Sequence, residues 1–357
     1  MTTHEIRVAR RRSPFARWFE PRSIGKMAPA TAVVVYGLLI LWALFVLFPL
    51  YWLLITSFKL PADVNGGPFY LPWVDFTPSL HAWRELFVFD YEDTLRAYTN
   101  SIIIALLATA LCVTIGSIAA YALGRFQYKP KFATIALFVL CIVVMAIVVG
   151  RWGVDWRLSL AAALAVFFLL ARAVGRHFEG TLGNGDILFW MISQRILPPI
   201  VAIVPIYMMF QSVRLLDTHL AQILAFTVVN LPIVVWLMHD FFASIPTDLD
   251  ESAQLDGATR ITTFVEIILP LARPGLAATT LLALILCWNE YLLSLFLSTS
   301  RAQTMPILVA AMNAGERGIL WWSMAVVIIV MIIPVVLMAL VLQRFIARGI
   351  LVGAVKG

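Results

Sequence analysis

Long apolar runs, each able to cross a bilayer, recur along this chain, and polar stretches divide them. The runs fall at about 30–56, 100–123, 132–149, 158–174, 187–213, 220–242, 275–297 and 322–342. A membrane-spanning helix needs about 20 mainly apolar residues, so eight spans are predicted. Inside lipid a helix satisfies its own backbone groups, which an isolated strand cannot do. The ten-residue alternation of a membrane barrel is absent from the sequence. The predicted fold class is therefore all-α and polytopic.

The polar stretches differ in chemistry. Residues 1–29 hold seven Lys and Arg and form a basic arm. The run that follows is much longer than the apolar core of a signal peptide, so it is read as an uncleaved span. The arm also carries Phe15, Trp18 and Phe19, which suit an anionic headgroup surface, although a basic arm serves equally as an orientation signal without further function. Residues 57–99 contain six acidic residues with Pro61, Pro68, Pro72 and Pro78, and are predicted to form an ordered external loop. Trp152 and Trp156 flank the charges of a turn between the third and fourth runs, as at a membrane interface. Residues 179–186 make a Gly-rich connector. Pro198, Pro199 and Pro205 interrupt the fifth run, which fits either a cavity lining or a simple kink.

Lys and Arg outside the spans divide 17 to 8 between the two sides of this topology. The excess lies with both termini and the loop at 244–274, which the positive-inside rule therefore places in the cytoplasm. Composition agrees with a membrane protein: 62% of residues are hydrophobic and 13% charged, against about 25% charged in soluble domains. Mean hydropathy is +0.92. Cys112, Cys141 and Cys287 lie far apart within apolar runs and read as small core residues, without ligand spacing. There is no Walker-type glycine loop, HExxH, GxSxG or Cys-x-x-Cys motif. No catalytic, cofactor or metal site is predicted in this chain.

The loop from Pro246 to Pro274 stands out. Asp248 has the chemistry of a helix cap, and Glu251 follows three residues later. Asp250 and Glu251 suit the positive end of a helix dipole. Ala253 and Gly257 are four apart, which would put two small residues on one helix face. Gly257 can end that helix in a left-handed conformation. A second helical run, 261–269, leads to Pro270. A helix–turn–helix of this kind suits docking onto another protein, although an ordinary connection between spans has the same composition.

The spacing is more specific. Glu251, Ala253 and Gly257, followed by Ile267, Leu269 and Pro270, resemble the signature cytoplasmic loop of permease subunits in ATP-binding-cassette importers. Ser252 stands where that signature has its middle Ala. Further stretches resemble the carbohydrate-uptake branch, the branch of the maltose transporter's second membrane subunit. These are Phe48-Pro49-Leu50-Tyr51-Trp52, Thr56-Ser57-Phe58-Lys59, Asn100-Ser101, Ala120-Tyr121-Ala122-Leu123-Gly124-Arg125-Phe126, Gln194-Arg195-Ile196-Leu197-Pro198-Pro199, Trp288-Asn289-Glu290-Tyr291, Gln343-Arg344-Phe345 and the closing Gly353-Ala354-Val355-Lys356-Gly357.

That family has six spans, so the third and fourth runs read as an inserted pair, which leaves the orientation of everything after it unchanged. The resulting organisation is a basic arm at 1–29, two spans and an external loop at 30–126, an inserted hairpin at 127–186, core spans at 187–349 and a tail at 350–357. The hairpin would face lipid or pack on a partner.

The resemblance implies a permease subunit of an importer for a carbohydrate or polyol in a bacterial inner membrane. It implies a homologous second permease, two ATPase subunits that hold ATP and Mg, an external solute-binding protein, and no nucleic acid. Glu251, Ala253, Asp256, Gly257 and Arg260 would contact the ATPase. Polar residues within spans are costly and often line a path, which marks Gln194, Arg195, Asn230, Asn289, Glu290 and Tyr291. Trp288 or Tyr291 could stack on a sugar ring. The same groups could instead bond between helices. The rival function is a secondary transporter or channel. It predicts intramembrane acid–base relays, for which only Glu290 and Arg195 qualify.

Overall fold

The computed structural model describes residues 16–19, 27–89, 91–177, 180–196, 198–313 and 319–354. Most of the basic arm and the closing 355–357 lie outside the described residues. We label the main helices α1 (Pro29–Thr56), α2 (Tyr91–Arg125), α3 (Phe132–Trp152), α4 (Trp156–His177), α5 (Asn184–Ser193), α6 (Pro199–Ser212), α7 (His219–Ala243), α8 (Asp248–Leu255), α9 (Arg273–Trp288), α10 (Leu292–Leu297), α11 (Met305–Asn313) and α12 (Trp321–Ala354). Among the described residues there is no strand, only two isolated bridges. Among the described residues six helices are long and apolar enough to cross a membrane, and eight spans result if two sharply bent pairs each count as one.

The chain divides into two compact units. One comprises residues 1–90 and 312–329, the other 91–311 and 330–357. In the first unit α1 is apolar on all sides and almost wholly exposed, which only lipid or another helix can cover. The segment after it, described over 57–89, contains the short helices Pro61–Gly66 and His81–Arg84. Glu85 accepts from Trp322 Nε1 at 3.1 Å and Ser323 Oγ at 2.9 Å.

The second unit is built on α2. This helix starts at Tyr91, nine residues before the apolar run, because Thr94 and Ala97 already bury a face that hydropathy does not register. Ala105, Ala108, Cys112, Gly116 and Ala120 follow at helical spacing, and all are buried. Small residues let backbones approach. A Cβ on Gly116 would come 2.5 Å from Val234 Cγ1 of α7. The three cysteines are buried and free.

The fifth run is not merely kinked. Its two halves, Asn184–Ile196 and Ile200–Ser212, meet at 94°. Pro198 and Pro199 supply no N–H there, and Pro199 opens the new helix. The seventh run, expected as one span over 275–297, also differs. Arg260–Leu271 turns into Arg273–Trp288 at 82°, and α9 stops at Trp288. Asn289 Nδ2 donates back to Ile285 O at 2.9 Å, and Glu290 Oε1 accepts from Leu293 N at 3.0 Å. Asn289 thus offers the end of α9 a side-chain bond in place of a further turn, and Glu290 satisfies an N–H at the start of α10.

Helices α3 and α4 form a closed hairpin. Gly153, at φ +64, turns α3 into α4, and Leu182 N donates to Pro130 O at 2.9 Å across the base. Asn184 ties that base to α2, donating to Leu123 O and Phe126 O, both at 2.6 Å.

Asp217, between α6 and α7, clamps the loop after α10. Its carboxylate accepts the backbone N–H groups of Thr299, Ser300, Arg301 and Ala302 at 3.0–3.2 Å. Burial pushes its pKa up, but these four donors outweigh burial and hold it well below the usual carboxylate range. A depressed folded pKa contributes its full stability above the unfolded value of about 4, and the contribution is lost only as pH falls on through the depressed folded value. Asp217→Asn is therefore expected to cost about 2 kcal/mol at pH 7. The gap from the parent should hold down to about pH 4 and only narrow at about pH 3, where the clamped carboxylate is still ionised, as thermal unfolding at pH 7 and at about pH 3 would show.

Candidate functional site

The candidate site is the polar loop between α7 and α9, which is fixed to the end of α2 by a buried charge. Asp250 lies in the first turn of α8 and points into the protein. Its Oδ1 accepts from the Tyr121 hydroxyl at 2.6 Å, and its Oδ2 lies 2.9 Å from Arg125 Nε. That second contact is an ion pair by distance, without hydrogen-bond alignment. Arg125 Nη2 also donates to Ile245 O at 2.9 Å, just ahead of the loop. A buried carboxylate is tolerated only when it is paired and bonded in this way.

Aromatic rings enclose the contact. Tyr121 packs on Phe264 with centroids 4.8 Å apart, on Phe242 at 6.0 Å and on Phe126 at 6.2 Å. The Arg260 guanidinium sits over the Phe126 ring at 4.5 Å. Loop and α2 are thereby joined over more than one turn of helix.

Several expectations for this loop need revision. Asp248 is the first helical residue and not the cap. The cap position is Thr247, in helical conformation and without a side-chain bond. The capping side chain is instead Thr259, which accepts from Thr262 N at 3.2 Å. Ala253 and Gly257 do not share a helix face, because α8 ends at Leu255. Ala253 is turned inward beside Asp250 at 5% exposure, so its side chain is not on the outer surface. Gly257 does take the left-handed conformation, at φ +84. The second helical run is partly wound as a π-helix over Thr263–Ile268, with Thr263 and Ile268 buried.

The outer surface of the loop carries Glu251, Asp256, Gly257 and Arg260, all exposed. Between them project Leu255 at 90% and Ile261 at 76% exposure. These two apolar side chains flank the glycine turn, and charge patterning gave no hint of them. Asp250, Tyr121 and Arg125 were likewise missed as a unit. The available signal was an acidic residue three positions before Ala253, on the same inward face.

Of the polar residues within spans, Gln194 and Arg195 fall at the break between α5 and α6 and Asn289, Glu290 and Tyr291 at the break between α9 and α10, whereas Asn230 lies inside α7. Arg195 Nη2 donates to Asn230 Oδ1 at 2.6 Å. Asn230 is buried, donates to Phe226 O at 2.9 Å and lies 3.5 Å from Cys287 Sγ. Asn230 thus bonds between and within helices. Gln194 and Asn289 are exposed, Glu290 is half-buried, and Tyr291 is exposed. The structure brings Asn289, Glu290 and Tyr291 together in the break between α9 and α10. Trp288 is not available for stacking: its ring is buried and its Nε1 donates to Met331 O at 2.9 Å.

The sequence profile described as "Binding-protein-dependent transport system inner membrane component" matches residues 168–352. The trehalose/maltose transport system permease protein MalG of Thermococcus litoralis is 30% identical over 322 residues, covering 89% of this chain and 94% of the relative. The sulfoquinovosyl glycerol transport system permease protein SmoH of Agrobacterium fabrum is 29% identical, covering 87% and 89%. A solved chain from a bacterial ABC transporter that imports the acidic polysaccharide alginate superposes with TM-score 0.55 at 21% identity, over 88% of this chain and 96% of that one.

Proposed function

Because this chain belongs to the binding-protein-dependent inner membrane transport components, we propose that it is a permease subunit that imports a carbohydrate or polyol at the expense of ATP. It is a multi-pass component of the inner membrane and works with ATPase and solute-binding partners. The finer assembly is a pair of homologous permeases and two ATPase subunits, which hold the ATP and Mg. Both termini and the 244–274 loop face the cytoplasm, as the Lys and Arg distribution favours.

The observation that carries this reading is the loop itself. Leu255, Ile261, Glu251, Asp256 and Arg260 form an exposed apolar and charged patch, while Asp250 anchors its inner side to α2. A partner that moves α8 would move α2 with it, since a buried ion pair resists separation. The named relatives carry trehalose, maltose or sulfoquinovosyl glycerol, which supports a sugar-like substrate. Gln194, Asn289, Glu290 and Tyr291 lie at helix breaks, where irregular backbone can line a path, and have the donors and acceptors to meet hydroxyl groups. Asn230 and Arg195 orient the neighbouring helices. The α3–α4 hairpin is an addition to a six-span core.

The test is purification of the tagged chain from its native membrane. We expect a Walker-motif ATPase to co-purify, and its hydrolysis to rise when the solute-loaded binding protein is added. Removing residues 127–186 behind a short linker should leave this co-purification intact. A chain that moves solute in liposomes without any ATPase would favour the secondary-transporter reading instead.

A further inference from the structure

The loop after α1 folds back against the helix it leaves. Tyr51 Oη donates to Tyr70 O at 2.6 Å, and the rings of Trp52 and Tyr70 pack with centroids 5.3 Å apart. Tyr51 and Trp52 precede the helix end at Thr56 by four to five residues. The loop is therefore pinned about 6–8 Å along the axis from the helix end, at the depth where a span leaves the hydrocarbon.

Its interior is built from this unit alone. Lys59 is buried, donates to Phe69 O at 2.6 Å, and lies 4.4 Å from the Trp52 ring and 5.2 Å from the Phe76 ring. Asp75 accepts from the backbone N–H groups of Tyr70 and Leu71, both at 2.8 Å. Trp73 N donates to Phe76 O at 2.8 Å and closes the turn.

With its polar groups satisfied inside, the turn presents apolar ones. Trp73 is 82% and Val74 is 77% exposed, with Leu71 beside them. Trp73 also sits at φ +62, a conformation that bulky residues rarely adopt. A tight, internally bonded turn that holds a Trp outward has an apolar face and one N–H to place. Tryptophan is enriched at membrane–water interfaces for that reason.

We propose that the Trp73–Val74 turn is an interfacial anchor, seated in the headgroup–acyl boundary of the leaflet at the C-terminal end of α1. The occupant of this surface is lipid. The argument for lipid is depth: the turn is fastened to the last turns of a helix whose own surface is apolar and exposed along its length, with only Ile55 and Thr56 buried at its end.

Nitroxide labels at Trp73→Cys and, separately, at Val74→Cys test this in the full-length chain, purified with its partners and reconstituted in phosphatidylcholine liposomes. The native cysteines are buried and would be replaced by Ala if they label. Val74→Cys keeps the test valid if the first substitution disturbs the turn. We expect both labels to relax with dissolved oxygen and to be shielded from a water-soluble nickel chelate, with or without the solute-binding partner. Chelate access in both conditions would overturn the proposal. So would chelate access that is lost only when the soluble partner is added, which would make the turn a protein-docking element.

Discussion

Asp250→Ala is expected to destabilise the second unit by about 3–5 kcal/mol, because it strands the Arg125 guanidinium in a buried site. Tyr121 would lose its acceptor at the same time. Tyr121→Phe removes one donor but keeps the ion pair, and should cost about 1–3 kcal/mol. A double change, Asp250→Leu with Arg125→Met, removes both charges and should recover much of the loss, since well-packed apolar residues often replace a buried pair at little cost. Thermal unfolding of the purified assembly would rank these variants. If Asp250→Ala melts with the parent, the buried pair does not hold the loop. The coupling reading makes a further demand on the double variant: it should assemble and yet hydrolyse ATP with weaker dependence on the transported solute.

The second large effect is at Gly257. Proline cannot adopt φ +84, and it would remove the N–H that donates to Gln254 O at 3.1 Å. Gly257→Pro should leave the spans and the Asp250 anchor in place and reshape only the outer turn. We expect the assembly to reach the membrane with solute-stimulated ATP hydrolysis reduced ~10-fold or more, equivalent to at least about 1.4 kcal/mol in activation free energy. Gly257→Ala is the control. Its Cβ meets nothing within 4 Å, so only backbone strain of about 1–2 kcal/mol opposes it, and its effect should be mild. Equal stimulation in Gly257→Pro and parent would remove the turn from the coupling pathway.

These two sites show what could and could not be read along the chain. The apolar runs located the long helices because lipid requires about 20 apolar residues whatever they pack against. Hydropathy was blind to residues 91–99 of α2, where polar residues continue the helix on the strength of one buried face. It was also blind to helix breaks: Asn289 closes α9 and Glu290 opens α10 through bonds to backbone groups within four residues. The left-handed turn at Gly257 was legible because its cause is local.

The anchor was not legible, because its cause is remote. Asp250 meets Tyr121 across 129 positions, and within the loop only its helical spacing from Ala253 hints at an inward face. Helical spacing paired Ala253 with Gly257, but that pairing holds only if the helix continues, and α8 ends two residues short of the glycine. The exposed Leu255 and Ile261 escaped notice for a related reason. Isolated apolar residues in a polar loop gain meaning only when their exposure is known.

The central claim is that the outer face of α8 and the Gly257 turn seats against the ATPase. It is tested most directly by a cysteine at Leu255, the most exposed large apolar side chain of that face. Oxidation of the Leu255→Cys assembly, with single cysteines scanned along the ATPase surface, should give a disulfide-linked pair of this chain and the ATPase. A cysteine placed at Arg214, at the opposite end of α7, should give none. Linkage from Arg214 but not from Leu255 would place the ATPase at the wrong end of the helices and contradict the account.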